Sequence, residues 1–202
     1  ARQGHSLPPR YALTVDDGQA ATDPQTLVIP IAGTDVPAVI SGRSTGAVVA
    51  DVGDANKTKG TPGASGVLAV TDPDSGESQF KAVPIGALQG SFGTFAFNPG
   101  SGQWSYVLDQ AKADPLVAGQ HVTDKLTVAS ADGTATKDIV VDIAGVNDNA
   151  SIDGLDMGAV VEAGGVNNAD PGQASAFGRL TVKDADAGED HFQGAVNTAL
   201  VG

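Results

Sequence analysis

Gly66-Val67-Leu68-Ala69-Val70-Thr71-Asp72-Pro73-Asp74-Ser75-Gly76-Glu77 returns later in the chain as Gly178-Arg179-Leu180-Thr181-Val182-Lys183-Asp184-Ala185-Asp186-Ala187-Gly188-Glu189. In each copy an apolar run of period two, Leu68 and Val70 or Leu180 and Val182, stops at an acidic turn. That pattern reads as a strand with one buried face. The offset that carries Asp72 to Asp184 holds without a gap from Ala38/Ala150 to Phe80/Phe192. It also pairs Ile31-Ala32-Gly33-Thr34-Asp35 with Ile143-Ala144-Gly145-Val146-Asn147, and Leu13-Thr14-Val15 is matched by Leu126-Thr127-Val128. Self-similarity at a fixed period is the mark of a repeat architecture. The 202 residues therefore divide into the C-terminal part of a preceding repeat (1–34), one complete repeat (35–146) and the N-terminal part of a following one (147–202). On this reading the chain is a window on a longer tandem array.

Within 35–146 the alternation marks about seven strands. Leu68 and Val70, Phe95 and Phe97, Trp104 with Tyr106 and Leu108, Leu126 and Val128, and Ile139 with Val141 and Ile143 form the expected core. Turn signals separate them at Asn98-Pro99-Gly100-Ser101-Gly102, Ala118-Gly119-Gln120 and Ala131-Asp132-Gly133. Only Asp109 to Val117 leaves room for a short helix, interrupted by Pro115. Seven short strands in about 110 residues predict an all-β, immunoglobulin-like two-sheet sandwich. Pro30, whose counterpart in the repeat is Asp142, is expected to face solvent at a sheet edge.

Composition narrows the function. Eleven basic against 24 acidic residues give a net charge of −13, which argues against a nucleic-acid binder and disfavours anionic membrane surfaces. Cysteine is absent, so disulfides, thiolate metal sites and a cysteine nucleophile are excluded. No apolar run approaches the roughly 20 residues of a membrane span. The start, Ala1-Arg2-Gln3-Gly4-His5, lacks the apolar centre of a signal peptide, and any export signal is expected elsewhere. Catalytic patterns are missing: His5, His121 and His191 stand alone in the sequence, and no nucleophile elbow, His-Glu-x-x-His helix or phosphate loop occurs. The chain is not expected to be an enzyme.

The recurrent polar features gather at the repeat junctions. Asp72-x-Asp74 and Asp184-x-Asp186 leave the ends of equivalent strands, each followed by an acidic Gly-Glu. Paired carboxylates so placed repel one another unless a cation lies between them. The junctions Gly33-Thr34-Asp35-Val36-Pro37 and Gly145-Val146-Asn147-Asp148-Asn149 add carboxylate, carboxamide and carbonyl oxygens, a donor set suited to Ca²⁺. The competing reading is that these Asp residues only make Asx turns in Gly- and Pro-rich loops.

The order of elements is similar to the VCBS repeat of very large secreted bacterial adhesins. The motifs that carry the likeness are Gly33-Thr34-Asp35-Val36-Pro37, Asp72-Pro73-Asp74-Ser75-Gly76-Glu77, Gln103-Trp104-Ser105-Tyr106 and Ser130-Ala131-Asp132-Gly133. Val146-Asn147-Asp148-Asn149 and Lys183-Asp184-Ala185-Asp186 also resemble the linker and Asp-Ala-Asp motifs of cadherin-like repeats. The resemblance implies tandem immunoglobulin-like or cadherin-like β-sandwiches with Ca²⁺ between them. Asn147, Asp148 and Asn149 would join Asp184 and Asp186 at one junction, and Asp35 would join Asp72 and Asp74 at the other. Asp35-Val36 departs from the usual Asn-Asp, and Glu162, an acidic residue of the first strand region, is matched by Ala50 with Asp51 beside it. The first site is accordingly expected to be the weaker.

The expected role is a structural calcium-binding stalk or extender of a secreted or surface-displayed bacterial adhesin, supporting cell adhesion and biofilm formation. The expected place is extracellular, at the bacterial cell surface, with adjacent repeats as partners. Two alternatives stay open: a β-sandwich module that binds a protein or glycan ligand, for which exposed Trp104 or Tyr106 would speak, and an accessory domain of a secreted hydrolase.

Overall fold

The computed structural model describes residues 10–16, 18–19, 23–52 and 57–194. His5 lies outside them.

Residues 39–144 form two facing sheets. Strands β3 (Val39–Gly42), β5 (Gly63–Thr71), β7 (Gln103–Leu108) and β6 (Gly93–Phe97) make an antiparallel sheet in that order. Strands β4 (Thr45–Val49), β9 (Thr136–Ala144) and β8 (His121–Ala129) make the second, with β4 parallel to β9. Inward residues of both sheets meet in one core: Leu68, Phe95, Trp104, Tyr106 and Leu108 from the first, Val48, Leu126, Val128, Ile139, Val141 and Ile143 from the second. The alternation in the sequence thus selects the buried face strand by strand. A single helical turn, α1 (Gln110–Ala113), lies in the segment interrupted by Pro115. The chain is all-β as expected, and residues 39–144 make a seven-stranded sandwich.

The opening strand changes sheets. β3 ends at Gly42, whose φ of 102° lies in the region that disfavours a side chain, and a Cβ there would stand 2.5 Å from the Val67 carbonyl oxygen. Arg43 N–H still bonds Val67 of one sheet, whereas the Ser44 carbonyl accepts Val140 N–H from the other. Trp104 fixes the crossing from inside. Its indole N–H donates to the Arg43 carbonyl at 2.7 Å, and its ring lies where a Cβ on Gly66 would have to be.

A buried carboxylate joins the two sheets. Asp124 of β8, 3% exposed, accepts Ser91 N–H (2.8 Å), Phe92 N–H (2.9 Å) and the Tyr106 hydroxyl (2.7 Å). It holds the turn before β6 against the opposite sheet. Burial, then this bond, pushes the Tyr106 phenol well above its ordinary range.

The spacing of the sequence repeat recurs in the hydrogen bonds. β10 (Ser151–Gly154) pairs with β11 (Leu180–Lys183) in the register of β3 with β5, Ser151 facing Lys183 as Val39 faces Thr71. Gly154 has the positive φ of Gly42, and Leu155 N–H bonds Arg179 as Arg43 N–H bonds Val67. The bridges Val161–Gln173 and Gly164–Asp170 repeat Val49–Thr61 and Val52–Thr58.

β1 (Arg10–Leu13) and β2 (Gln25–Val28) form the remaining hairpin. Leu13 faces Gln25, although its sequence counterpart Leu126 faces Ile139, the counterpart of Leu27. The register has slipped by two positions, which keeps each side chain on its face. With every residue of both strands exposed, burial does not pin the register. Pro30 is exposed beyond the end of β2.

Replacing Asp124 by Ala leaves two amides and a phenol without their acceptor. Urea denaturation should show a loss of about 3 kcal/mol or more, against about 1 kcal/mol for Tyr106→Phe.

Candidate metal centres at the repeat junctions

β5 runs straight into Asp72, and the turn that follows organises itself. Asp72 Oδ1 accepts Asp74 N–H at 2.7 Å, and Glu77 N–H bonds the Asp74 carbonyl at 3.2 Å. Ser78 Oγ closes the turn on the backbone of Asp72. Asp74, 4% exposed, then accepts Val36 N–H on Oδ2 at 2.9 Å. The chain before β3 is thereby tied to the end of β5.

The second junction repeats this construction except for the bonds of Ser78, whose counterpart is Asp190. Asp184 Oδ1 accepts Asp186 N–H at 2.9 Å, Glu189 N–H bonds the Asp186 carbonyl, and Asp186 Oδ2 accepts Asp148 N–H at 2.7 Å. Ala187 N–H reaches the Pro115 carbonyl, joining this turn to the loop after α1.

The Asx-turn reading is therefore correct for one oxygen of each first Asp, and it leaves others over. Asp72 Oδ2 and Asp186 Oδ1 are buried without a hydrogen-bond partner. Three sets of carboxylates converge among the described residues, each with ligand atoms within 4.8 Å of one another: Asp35, Asp74 and Glu77; Asp72, Glu77 and Asp132; Asp184, Asp186 and Glu189. Glu77 belongs to two of them. Like charges this close stabilise a cation between them, and all the donors are hard oxygens.

Of the sequence-based candidates, Asp35, Asp72, Asp74, Asp184 and Asp186 fall into these sets. Asp148 is buried and joins Asp186 through its backbone N–H. Asn147 spends its carboxamide N–H on the Asp148 carbonyl at 2.6 Å, and Asn149 is exposed. Glu77 and Glu189 were visible in the sequence only as acidic companions of the turns. Asp132 was read as a hairpin turn. It sits on the β8–β9 hairpin, which the sandwich folds over the end of β5, and both its carboxylate oxygens are buried without a partner within hydrogen-bond geometry. The Ser130 hydroxyl first, then Thr134, still favours its ionised form, with a pKa lowered from 3.8 to about 2. The first junction thus gathers Asp35, Asp72, Asp74, Glu77 and Asp132.

The acidic residues of the opening strands lie elsewhere. Glu162 is exposed and outside the three sets. Asp51, 2% exposed, is held by Lys59 Nζ (2.6 Å), Gly60 N–H (2.9 Å) and Gln110 Nε2 (3.2 Å), so it fastens the loop after β4. Trp104 and Tyr106 are 2% and 1% exposed, which removes them as a surface for stacking sugars. His121 pairs with Asp142 on the surface at 2.8 Å.

No family model and no curated protein matches the sequence. Among solved structures, the chain is similar to PcdhgB3 EC1-4, at 15% identity and a TM-score of 0.35 over 90% of this chain and 42% of that one. It is likewise similar to the extracellular cadherin domains 1-4 of protocadherin gamma B7, at 16% identity and a TM-score of 0.34 over 92% of this chain and 51% of that one. The chain spans about half the length of these structures or less.

The bond from Lys59, ahead of that from Gly60, lowers the Asp51 carboxyl below its ordinary value of 3.8. A depressed folded-state value stabilises the fold above about pH 4, and the contribution is lost as pH falls through the folded value. Lys59→Met should therefore raise the midpoint of acid unfolding, followed by Trp104 fluorescence between pH 2 and 6.

Proposed function

We propose that this chain is a calcium-stiffened spacer, a segment of tandem β-sandwich repeats whose junction carboxylates bind Ca²⁺ and hold successive units in line. The observation that carries the reading is the recurrence, at equivalent points of two repeats, of one construction: an Asp-x-Asp turn whose second carboxylate grips the N–H of the incoming chain (Val36 or Asp148), beside a third carboxylate (Glu77 or Glu189). A turn former alone needs neither the buried second oxygens nor the convergence of Asp132 from another loop. Three or more carboxylates with carbonyls nearby suit a large, flexibly coordinated hard cation better than Mg²⁺, which demands a tight octahedron. The repeat limits proposed are 1–34, 35–146 and 147–202.

In this role Asp72, Glu77 and Asp132 bind within a unit, and Asp35 with Asp74 brings in the chain that enters it. Asp184, Asp186 and Glu189 do the same for the following unit, whose turn also touches Pro115 of the unit before. The cation neutralises repelling charges and converts a hinge into a strut. The role is structural, not catalytic, and its setting is an extracellular one, where millimolar Ca²⁺ fills weak oxygen sites. A surface adhesin of bacterial type, projecting a distant binding domain, is the protein in which such a spacer belongs. Adjacent repeats are its immediate partners.

Thermal unfolding at fixed ionic strength tests this. Millimolar Ca²⁺ should raise the midpoint by several degrees over EGTA, since saturation at 100 times Kd contributes about 2.7 kcal/mol, and Mg²⁺ should do so much less. Asp74→Asn and Asp186→Asn should each remove part of the increment, and Asp132→Asn should act only on the first junction. An identical midpoint in Ca²⁺ and EGTA rejects the proposal.

A further inference from the structure

Several side chains inside the sandwich have counterparts that lie in the open. The repeat offset carries Ile139, Val141 and Ile143 of β9, all fully buried, back to Leu27, Ile29 and Ile31, which are 47%, 45% and 53% exposed. It carries Val48 and Leu68, each 1% exposed, forward to Val160 and Leu180, 64% and 40% exposed. Leu13 and Val15, matched by the buried Leu126 and Val128, are exposed as well, and so is Ile152, matched by Ile40 at the edge of the core. The chain thus shows two apolar faces of opposite kind. Residues 10–32 supply strands of the β8 and β9 type, and residues 151–183 supply strands of the β3, β4 and β5 type.

The sandwich shows how such strands join. β4 lies parallel to β9, with Thr45 facing Val140 and Val49 facing Ala144, and the pair is stitched by Val140 N–H on the Ser44 carbonyl and Ala50 N–H on the Ala144 carbonyl. Carried over by the offset, the same register sets Met157 against Val28, Val160 against Ile31 and Val161 against Ala32. Pro30 withholds one N–H from such a ladder and keeps its carbonyl. Residues 24–32 and 157–161 contain no charged side chain.

We propose that residues 151–183 of one copy of this chain take residues 10–32 of a second copy as their missing sheet, with 24–32 adding in parallel beside 157–161. The repeat selects the occupant, because the strand that covers Val48 in the sandwich is β9, and residues 24–32 are the β9 sequence that stands exposed. The two faces of a single chain do not meet. Ala38 N–H bonds Thr134 Oγ1 just before β9, whereas residues 151–183 follow its finish, nine residues on, or about 30 Å away. They stand at opposite ends of the sandwich, so copies join head to tail and the association is open-ended. The net charge of −13 opposes contact between copies, yet at physiological salt it is screened beyond about 8 Å, and the strands that meet are neutral. At roughly 100 Å² each, the eight exposed side chains named above bring about 800 Å² of apolar surface into the contact, and the strand backbones raise it to roughly the 1,200 Å² of a specific complex. Neither face contains a counterpart of β6 or β7, so the joined core is thinner than that of residues 39–144 and the contact is reversible. No metal takes part, and the contact stands or falls apart from the calcium reading.

Sedimentation equilibrium of the 202-residue chain in EGTA, from about 10 μM to about 1 mM, should give an average mass that starts at the 20.1 kDa of one copy and climbs past two copies. Ile31→Glu should raise the apparent dissociation constant roughly tenfold or more. Ile31 is open to solvent in the single copy and lies outside the sandwich, so the variant leaves the fold intact. Val67→Glu, on an outer sheet face, should leave association unchanged. The chain has no cysteine, so Ala32→Cys combined with Val161→Cys reports one geometry. Neighbouring strands lie about 4.8 Å apart, within the range that a disulfide bridges. Oxidation should give a ladder of linked chains on a denaturing gel, and Ala32→Cys combined with Val67→Cys should not. A single copy at every concentration overturns the proposal. So does association that Ile31→Glu leaves intact, and so does a cysteine pair that closes within one chain or stays unlinked.

Discussion

A carboxylate gripping one backbone N–H across 38 residues, Asp74 on Val36 and Asp186 on Asp148, is the contact on which the candidate centres depend. It fixes where the entering chain lies relative to the end of the strand that follows. Once that distance is set, Asp35 and Glu77 converge on Asp74. The bond is possible only because the Asp-x-Asp turn uses its first carboxylate internally and so aims the second. Two aspartates divide the work of folding a turn and of catching the chain.

The sandwich provides what the turns cannot. Asp132 reaches the first centre because β8 and β9 form a long hairpin whose tip overhangs the end of β5. The packing that places it depends on inward residues of both sheets and on Asp124, which ties β8 to the turn before β6. Buried carboxylates in this chain thus have two fates. Asp51 and Asp124 are saturated by N–H, O–H and ammonium donors, whereas Asp72 and Asp186 each retain a buried oxygen without a partner. The first kind is architecture and the second is capacity for a cation.

Strand identity and facing were legible because alternation is a local signal: Leu68, Trp104, Tyr106, Leu126 and Ile139 all point inward as their spacing requires. The aspartates of the turns were legible because the repeat displays them twice. Asp132 was not, since its partner Asp72 lies far back along the chain and only the folded hairpin brings them together; its own counterpart in the next repeat would fall beyond Gly202. Asp51 lies beside the position matching Glu162, and Lys59 captures its carboxylate. Sequence spacing cannot say which donor reaches a carboxylate first. The register of β1 and β2 escaped for a related reason, because nothing buried selects it.

The change of sheet at Gly42 has a mechanical side. It leaves β4 parallel to β9, with five registered pairs from Thr45–Val140 to Val49–Ala144. The chain enters the unit beside the start of one strand and departs from the finish of the other. Tension along the molecule therefore slides these two strands past each other lengthwise, and their hydrogen bonds resist together as a row. An antiparallel pair at the same place would be peeled apart one bond at a time. The crossing at Gly42 brings β4 into the second sheet, where a pulled unit is loaded in shear and not unzipped.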